Sequence, residues 1–120
     1  MLCKVVGVTF KNDDFKYNRQ EIIAGLFGKE KIYLKREPLN KFDSNAVAVM
    51  LKRSKKDWKL GYIRSELAAF FADLWPTYKF FATIAEIKDG SIEDNISYGL
   101  VIDVKKILRG KLKTKRKKGI

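Results

Sequence analysis

Lys35-Arg36-Glu37-Pro38-Leu39-Asn40-Lys41-Phe42-Asp43-Ser44-Asn45-Ala46-Val47-Ala48-Val49 is a polar turn that opens directly into a run of strand-forming residues. Pro38 fixes its own φ and biases Glu37 away from helix. Asn40, Asp43, Ser44 and Asn45 can each bond nearby backbone, so the segment reads as an ordered, irregular loop. Such a loop presents side chains. Arg36 and Lys41 bring positive charge, Phe42 a flat apolar face and Asp43 a hydrogen-bond acceptor, a set suited to a phosphate, a base and a hydroxyl. Each also has a plainer reading: Asp43 and Asn45 as turn caps, Arg36 with Glu37 as an ion pair, Phe42 as core.

Around this loop the pattern is mainly β. Lys4 to Phe10 is rich in β-branched and aromatic residues and predicts a first strand, with Gly7 marking a bulge or close backbone approach. Asn18 stands three residues before Glu21, a variant capping box that opens a short helix running to Gly28, with Ile22, Ile23, Leu26 and Phe27 as its apolar face. Lys31 to Lys35 alternates as a second strand, with Ile32 and Leu34 on one face, and Ala46 to Leu51 follows the loop as a third. Lys52 to Asp57 is a polar turn, and Trp58 to Ile63 a fourth strand. Ser65 is expected to cap a second helix, whose Leu67, Phe70, Phe71 and Leu74 share a core-facing stripe until Pro76 stops it. Phe80 to Ile87 and Tyr98 to Ile107 complete about six strands. Turn-linked strands with two inserted helices predict an α+β, mainly β fold, a small barrel.

Composition narrows the function. The 120 residues suit one domain, and 46% hydrophobic content suffices for one core. One cysteine, Cys3, allows no internal disulfide and no cysteine cluster for zinc, which fits a reduced, cytoplasmic setting. The absence of histidine removes the commonest general base and metal ligand, so neither an enzyme nor a bound metal or cofactor is expected. Asp13 with Asp14, and Glu93 with Asp94, are the best acid groups for a nuclease-type magnesium site, but adjacent carboxylates point to different sides. No apolar run is long enough for a signal peptide or a membrane span, so a membrane partner is not expected either.

The charge is unevenly placed. Of 26 Lys and Arg, nine fall between Lys105 and Lys118, leaving 17 against 14 acidic residues elsewhere. Residues 1–108 therefore read as the folded domain and 109–120 as a basic C-terminal tail, suited to phosphate backbones or simply to solvent.

Four stretches in this order resemble the HIRAN domain family. Val5-Val6-Gly7-Val8-Thr9-Phe10 looks like its opening strand, and Asn18-Arg19-Gln20-Glu21-Ile22-Ile23 like the helix start of its bacterial members. Arg36 to Val49 is similar to its central signature, and Leu60-Gly61-Tyr62-Ile63 with Glu66-Leu67-Ala68 to its strand-to-helix passage. The resemblance runs from about Val5 to Leu74. It implies a six-stranded OB-like barrel with two helices that binds single-stranded DNA at a free 3′ end, in repair or replication-fork processing. It further implies that Phe10 and Phe42 clasp the terminal bases, that Asp43 accepts the 3′-hydroxyl, and that Tyr62 lies near the DNA backbone. Arg36, Lys41 and Arg64 are the neighbouring cations expected to meet phosphates, and Asn45 belongs to the same signature. The family's helicase members carry an arginine and tyrosines where this chain has Thr9, Phe10 and Phe42, which keep the stacking face and lose the hydroxyl. The rival expectation is a protein-interaction adaptor that takes a peptide along an exposed strand edge, with DNA contact left to the tail.

Overall fold

A computed structural model describes residues 1–12 and 18–110. Six strands, β1 (Leu2–Val6), β2 (Ile32–Arg36), β3 (Val47–Leu51), β4 (Trp58–Ile63), β5 (Tyr78–Lys88) and β6 (Gly99–Leu108), close into an antiparallel barrel in the order β1-β4-β3-β2-β5-β6. Two helices interrupt them, α1 (Arg19–Ala24) and α2 (Ser65–Leu74). This is the expected mainly β barrel with two short helices. Closure is uneven: β5 pairs with β6 along its length but with β2 only where Ala82 faces Ile32.

The barrel is filled by Val5, Leu34, Val47, Val49, Leu60, Ile63, Leu100 and Ile102, all buried. Alternation shows in β1, where Cys3 and Val5 point inward while Leu2, Lys4 and Val6 are exposed. It is absent in β3, whose five residues are all buried: Val47, Val49 and Leu51 join the core, while Ala48 and Met50 are covered outside it. α2 drives Ala68 and Phe71 into the core, and the Phe71 ring lies 4.8 Å from that of Phe80. Burying a phenylalanine of this kind contributes roughly 1.5–3 kcal/mol. Trp75 stacks on Phe80 at 5.3 Å and Trp58 packs against the core, so both tryptophans serve packing.

Local differences from the sequence reading have local causes. β1 stops at Val6 instead of reaching Phe10, because Gly7 takes φ +70° and turns the chain, with the Phe10 N–H donating to the Gly7 carbonyl at 3.3 Å. α1 begins as expected, the Asn18 side chain accepting from the Glu21 N–H at 2.8 Å. It ends at Gly25 and not Gly28, so Phe27 leaves the apolar face and is 93% exposed. The N-cap of α2 is Arg64, without a side-chain cap bond, and Ser65 is the first helical residue. Phe70 is half-exposed, which narrows the core stripe of α2.

Gly61 marks where β1 and β4 touch most closely. A Cβ there would lie 2.4 Å from the Val6 carbonyl oxygen and 2.6 Å from Val5 Cγ1. Backbone cannot give way as a side-chain tip can. Gly61→Ala is expected to lose roughly 2–3 kcal/mol in urea unfolding, the upper range for overpacking; an unchanged midpoint would show that the strands separate freely.

Candidate nucleic-acid interface

Tyr62 organises the site through strand register. Its cross-strand partners are Val6 on β1 and Ala48 on β3, and those strands lead to the turn after Val6 and to the loop between Arg36 and Val47. Pairing therefore sets the two loops on either side of Tyr62. Between them lies a groove of about 980 Å³ whose lining includes Phe10, Lys41, Phe42, Asp43 and Tyr62.

The long loop is held as its polar residues suggested. The Glu37 N–H donates to the Ala46 carbonyl at 2.9 Å and the Asn40 N–H to the Glu37 carbonyl at 3.0 Å, closing the loop at its base. Asn40 Oδ1 accepts from the N–H groups of Phe42 and Asp43 at 2.9 and 3.1 Å, and Asp43 Oδ1 accepts from Asn45 N–H at 2.9 Å. The backbone under Phe42 and Asp43 is thereby fixed. The Phe42 ring is 97% exposed, which excludes the core reading, and Phe10 is 67% exposed across the groove lining. Two bare phenyl faces beside one groove are costly in water unless they meet a ligand.

Beneath the loops lies a polar cluster that sequence reading did not single out. Lys59 Nζ contacts Glu37 Oε2 at 2.6 Å and donates to Tyr62 Oη at 2.7 Å; Tyr62 Oη donates to Glu37 Oε1 at 2.7 Å, and Asn40 Nδ2 reaches the same oxygen at 3.1 Å. Burial raises the Glu37 pKa, but the hydrogen bonds from Lys59, Tyr62 and Asn40 outweigh it and hold the carboxyl below its usual range. For Lys59 burial acts downward, and the bonds to Glu37 and Tyr62 win, keeping the ammonium above the ordinary lysine value. Glu37 therefore pairs with Lys59 and not with Arg36, as the neighbouring-pair reading had it.

Arg19 completes the floor. It is 7% exposed, its Nη1 donates to the Gly7 carbonyl at 2.8 Å and its Nε to Asn12 Oδ1 at 2.9 Å, and its guanidinium lies 5.5 Å from the Tyr62 ring centre. One signal for it was present in the sequence: Arg19 lies three and four residues before Ile22 and Ile23, on the helix face that must be buried.

Of the eight residues expected to bind DNA, five line the groove. Arg36, Asn45 and Arg64 do not: Arg36 is partly buried at the end of β2, Asn45 takes part through its backbone, and Arg64 is exposed at the start of α2. Asp13 and Asp14 lie outside the described residues, as do the basic residues from Lys111 onward. Glu93 and Asp94 are exposed in the β5–β6 turn, and among the described residues no group of three Cys, Asp or Glu is placed to hold a metal. No helix of the described residues is long and apolar enough to cross a membrane.

Comparison with known proteins agrees with this architecture. A family model described as HIRAN domain matches residues 3–104. The crystal structure of the HIRAN domain of human HLTF is similar to this chain with a TM-score of 0.55 at 17% identity, covering 95% of this chain and 80% of that one. No curated protein matches.

Proposed function

The chain belongs to the HIRAN domain family, and from that premise we propose that it binds single-stranded DNA at free 3′-hydroxyl ends, acting by recognition and not by catalysis. HIRAN domains are nucleic-acid-binding modules, and the observation that carries the finer reading is the convergence of Phe10, Phe42, Lys41 and Asp43 on one groove. Two exposed rings offer stacking platforms to terminal bases, and Lys41 offers charge to the phosphate between them. Asp43 gives the end preference. One of its oxygens is taken by the Asn45 N–H, and its remaining acceptor capacity suits a hydroxyl and repels a phosphate. A role in repair or fork processing follows from this preference, since free 3′ ends arise there. The basic tail adds grip without sequence preference.

Fluorescence anisotropy of one short strand ending in a 3′-hydroxyl, set against the same strand ending in a 3′-phosphate, tests this on the full chain. The tail favours the more charged strand, so a hydroxyl preference cannot come from it. The hydroxyl strand is expected to bind about ten-fold tighter or better, the worth of a hydrogen bond to a charged group. Asp43→Asn keeps an acceptor for Asn45 N–H and removes the charge, so the preference should shrink mainly because the phosphate strand gains. Equal binding of both strands to the wild type would refute end recognition.

A further inference from the structure

The outward row of β1 does not stop at the groove. Leu2, Lys4 and Val6 share the exposed face of the strand, and Val6 also lines the groove. Across the β1–β6 register, Leu2 faces Asp103, and across β6–β5, Asp103 faces Thr83, Lys105 faces Phe81 and Ile107 faces Lys79. The outer surface of β1, β6 and β5 is therefore one continuous sheet face carrying Lys4, Lys79 and Lys105, all exposed, with the Phe81 ring 41% exposed. Lys79 Nζ lies 5.5 Å from the centre of that ring. Two acids on the same face oppose this charge: Asp103, whose Oδ1 is engaged at 3.0 Å by the Met1 ammonium, and exposed Glu86 of β5, which faces Val101, with β6 between it and the β1 row.

Resting on the function proposed above, we infer that this face is a second subsite, over which the DNA strand runs 5′ of its bound end. Charge and continuity select this occupant. The lysines match phosphates, Phe81 supplies a stacking ring beside a cation, and the outward row of β1, which carries Lys4 and no acid, joins the face to the groove at Val6. From Val6 to the level of Lys105 is about six residues of strand, or roughly 20 Å, enough for several nucleotides beyond the terminal pair. The polarity also fits. A 3′ end seated at Asp43 leaves only the 5′ side of the strand to cross β1.

A length series separates this subsite from the groove. Strands of two and eight nucleotides with 3′-hydroxyl ends, and the dinucleotide with a 3′-phosphate end for comparison, are titrated into the full chain, its Lys79→Gln/Lys105→Gln variant and its Phe81→Ser variant. The tail is common to all three. The dinucleotide should bind all three proteins alike, within about two-fold, while the octamer should lose roughly ten-fold on the double-lysine variant. Its salt slope should also flatten by about 1.4, from 0.7 per phosphate contact on single strands. Phe81→Ser should weaken the octamer with its salt slope unchanged. An octamer bound equally by all three proteins with one slope overturns the subsite and leaves the groove standing. A dinucleotide that shows no hydroxyl preference overturns the groove reading instead.

Discussion

Phe42→Ala is expected to weaken binding of a 3′-hydroxyl strand by about ten-fold or more while leaving the unfolding midpoint where it was. The two halves of that expectation come from one fact: the ring is 97% exposed, so truncating it removes nothing from the core. Stacking a base on an aromatic ring is worth roughly 1–3 kcal/mol, which converts to between about five-fold and a hundred-fold in affinity. Phe10→Ala should act in the same direction through the opposite wall, and the double variant should approach the residual affinity of the tail. Phe71→Ala serves as the contrast, because it opens a cavity and should unfold the protein at much lower urea. Anisotropy and urea unfolding on the same samples check both halves. A Phe42→Ala protein with full affinity would remove the clasp from the account.

The second large effect concerns the cluster under the loops. Lys59→Met should destabilise the fold by roughly 2 kcal/mol, because it strips the carboxylate of Glu37 of its cation while leaving it mostly buried. The pH dependence has a definite sign. Glu37 titrates near 4.5 when unfolded and lower when folded, so its contribution is fully present above that value and disappears as pH falls through the folded one. Lys59 titrates near 10.5 when unfolded and higher when folded, so its contribution is present below that value and disappears as pH rises through the folded one. Wild-type stability should therefore be level through neutral pH and fall in acid. Glu37→Gln should start lower and fall less steeply, with a remaining slope from Glu30 and Asp57, whose carboxyls are also held low. Parallel acid limbs in the two proteins would show that the cluster contributes nothing through charge.

How far the chain could be read in advance depended on the range of the interaction. The six strands and two helices were legible because β-branched runs, Asn18 with Glu21 and Pro76 are local signals. Gly7 misled the reading of β1, since a glycine between valines is compatible with a bulge as much as with a turn, and only φ distinguishes them. Phe27 misled in the same way, through a helix that ends three residues early at Gly25. Phe42, Asp43 and Tyr62 were visible as candidates from residue type and resemblance. Glu37 and Lys59 were not, since they are brought together by the pairing of β2 with β3 and of β3 with β4, registers that no short stretch of sequence specifies. Arg36 shows the converse: a cation adjacent in sequence to the loop is carried away from the groove by the strand it ends.

The most direct test of the groove is an amide ¹⁵N–¹H correlation titration of the full chain with a dinucleotide bearing a 3′-hydroxyl. The account requires saturable shifts at Gly7 to Phe10, at Asn40 to Asp43 and at Tyr62, with the rest of the barrel quiet. Shifts confined to Arg109 and the residues after it would contradict it, and would leave the chain a basic tail carried on a barrel that does not read DNA.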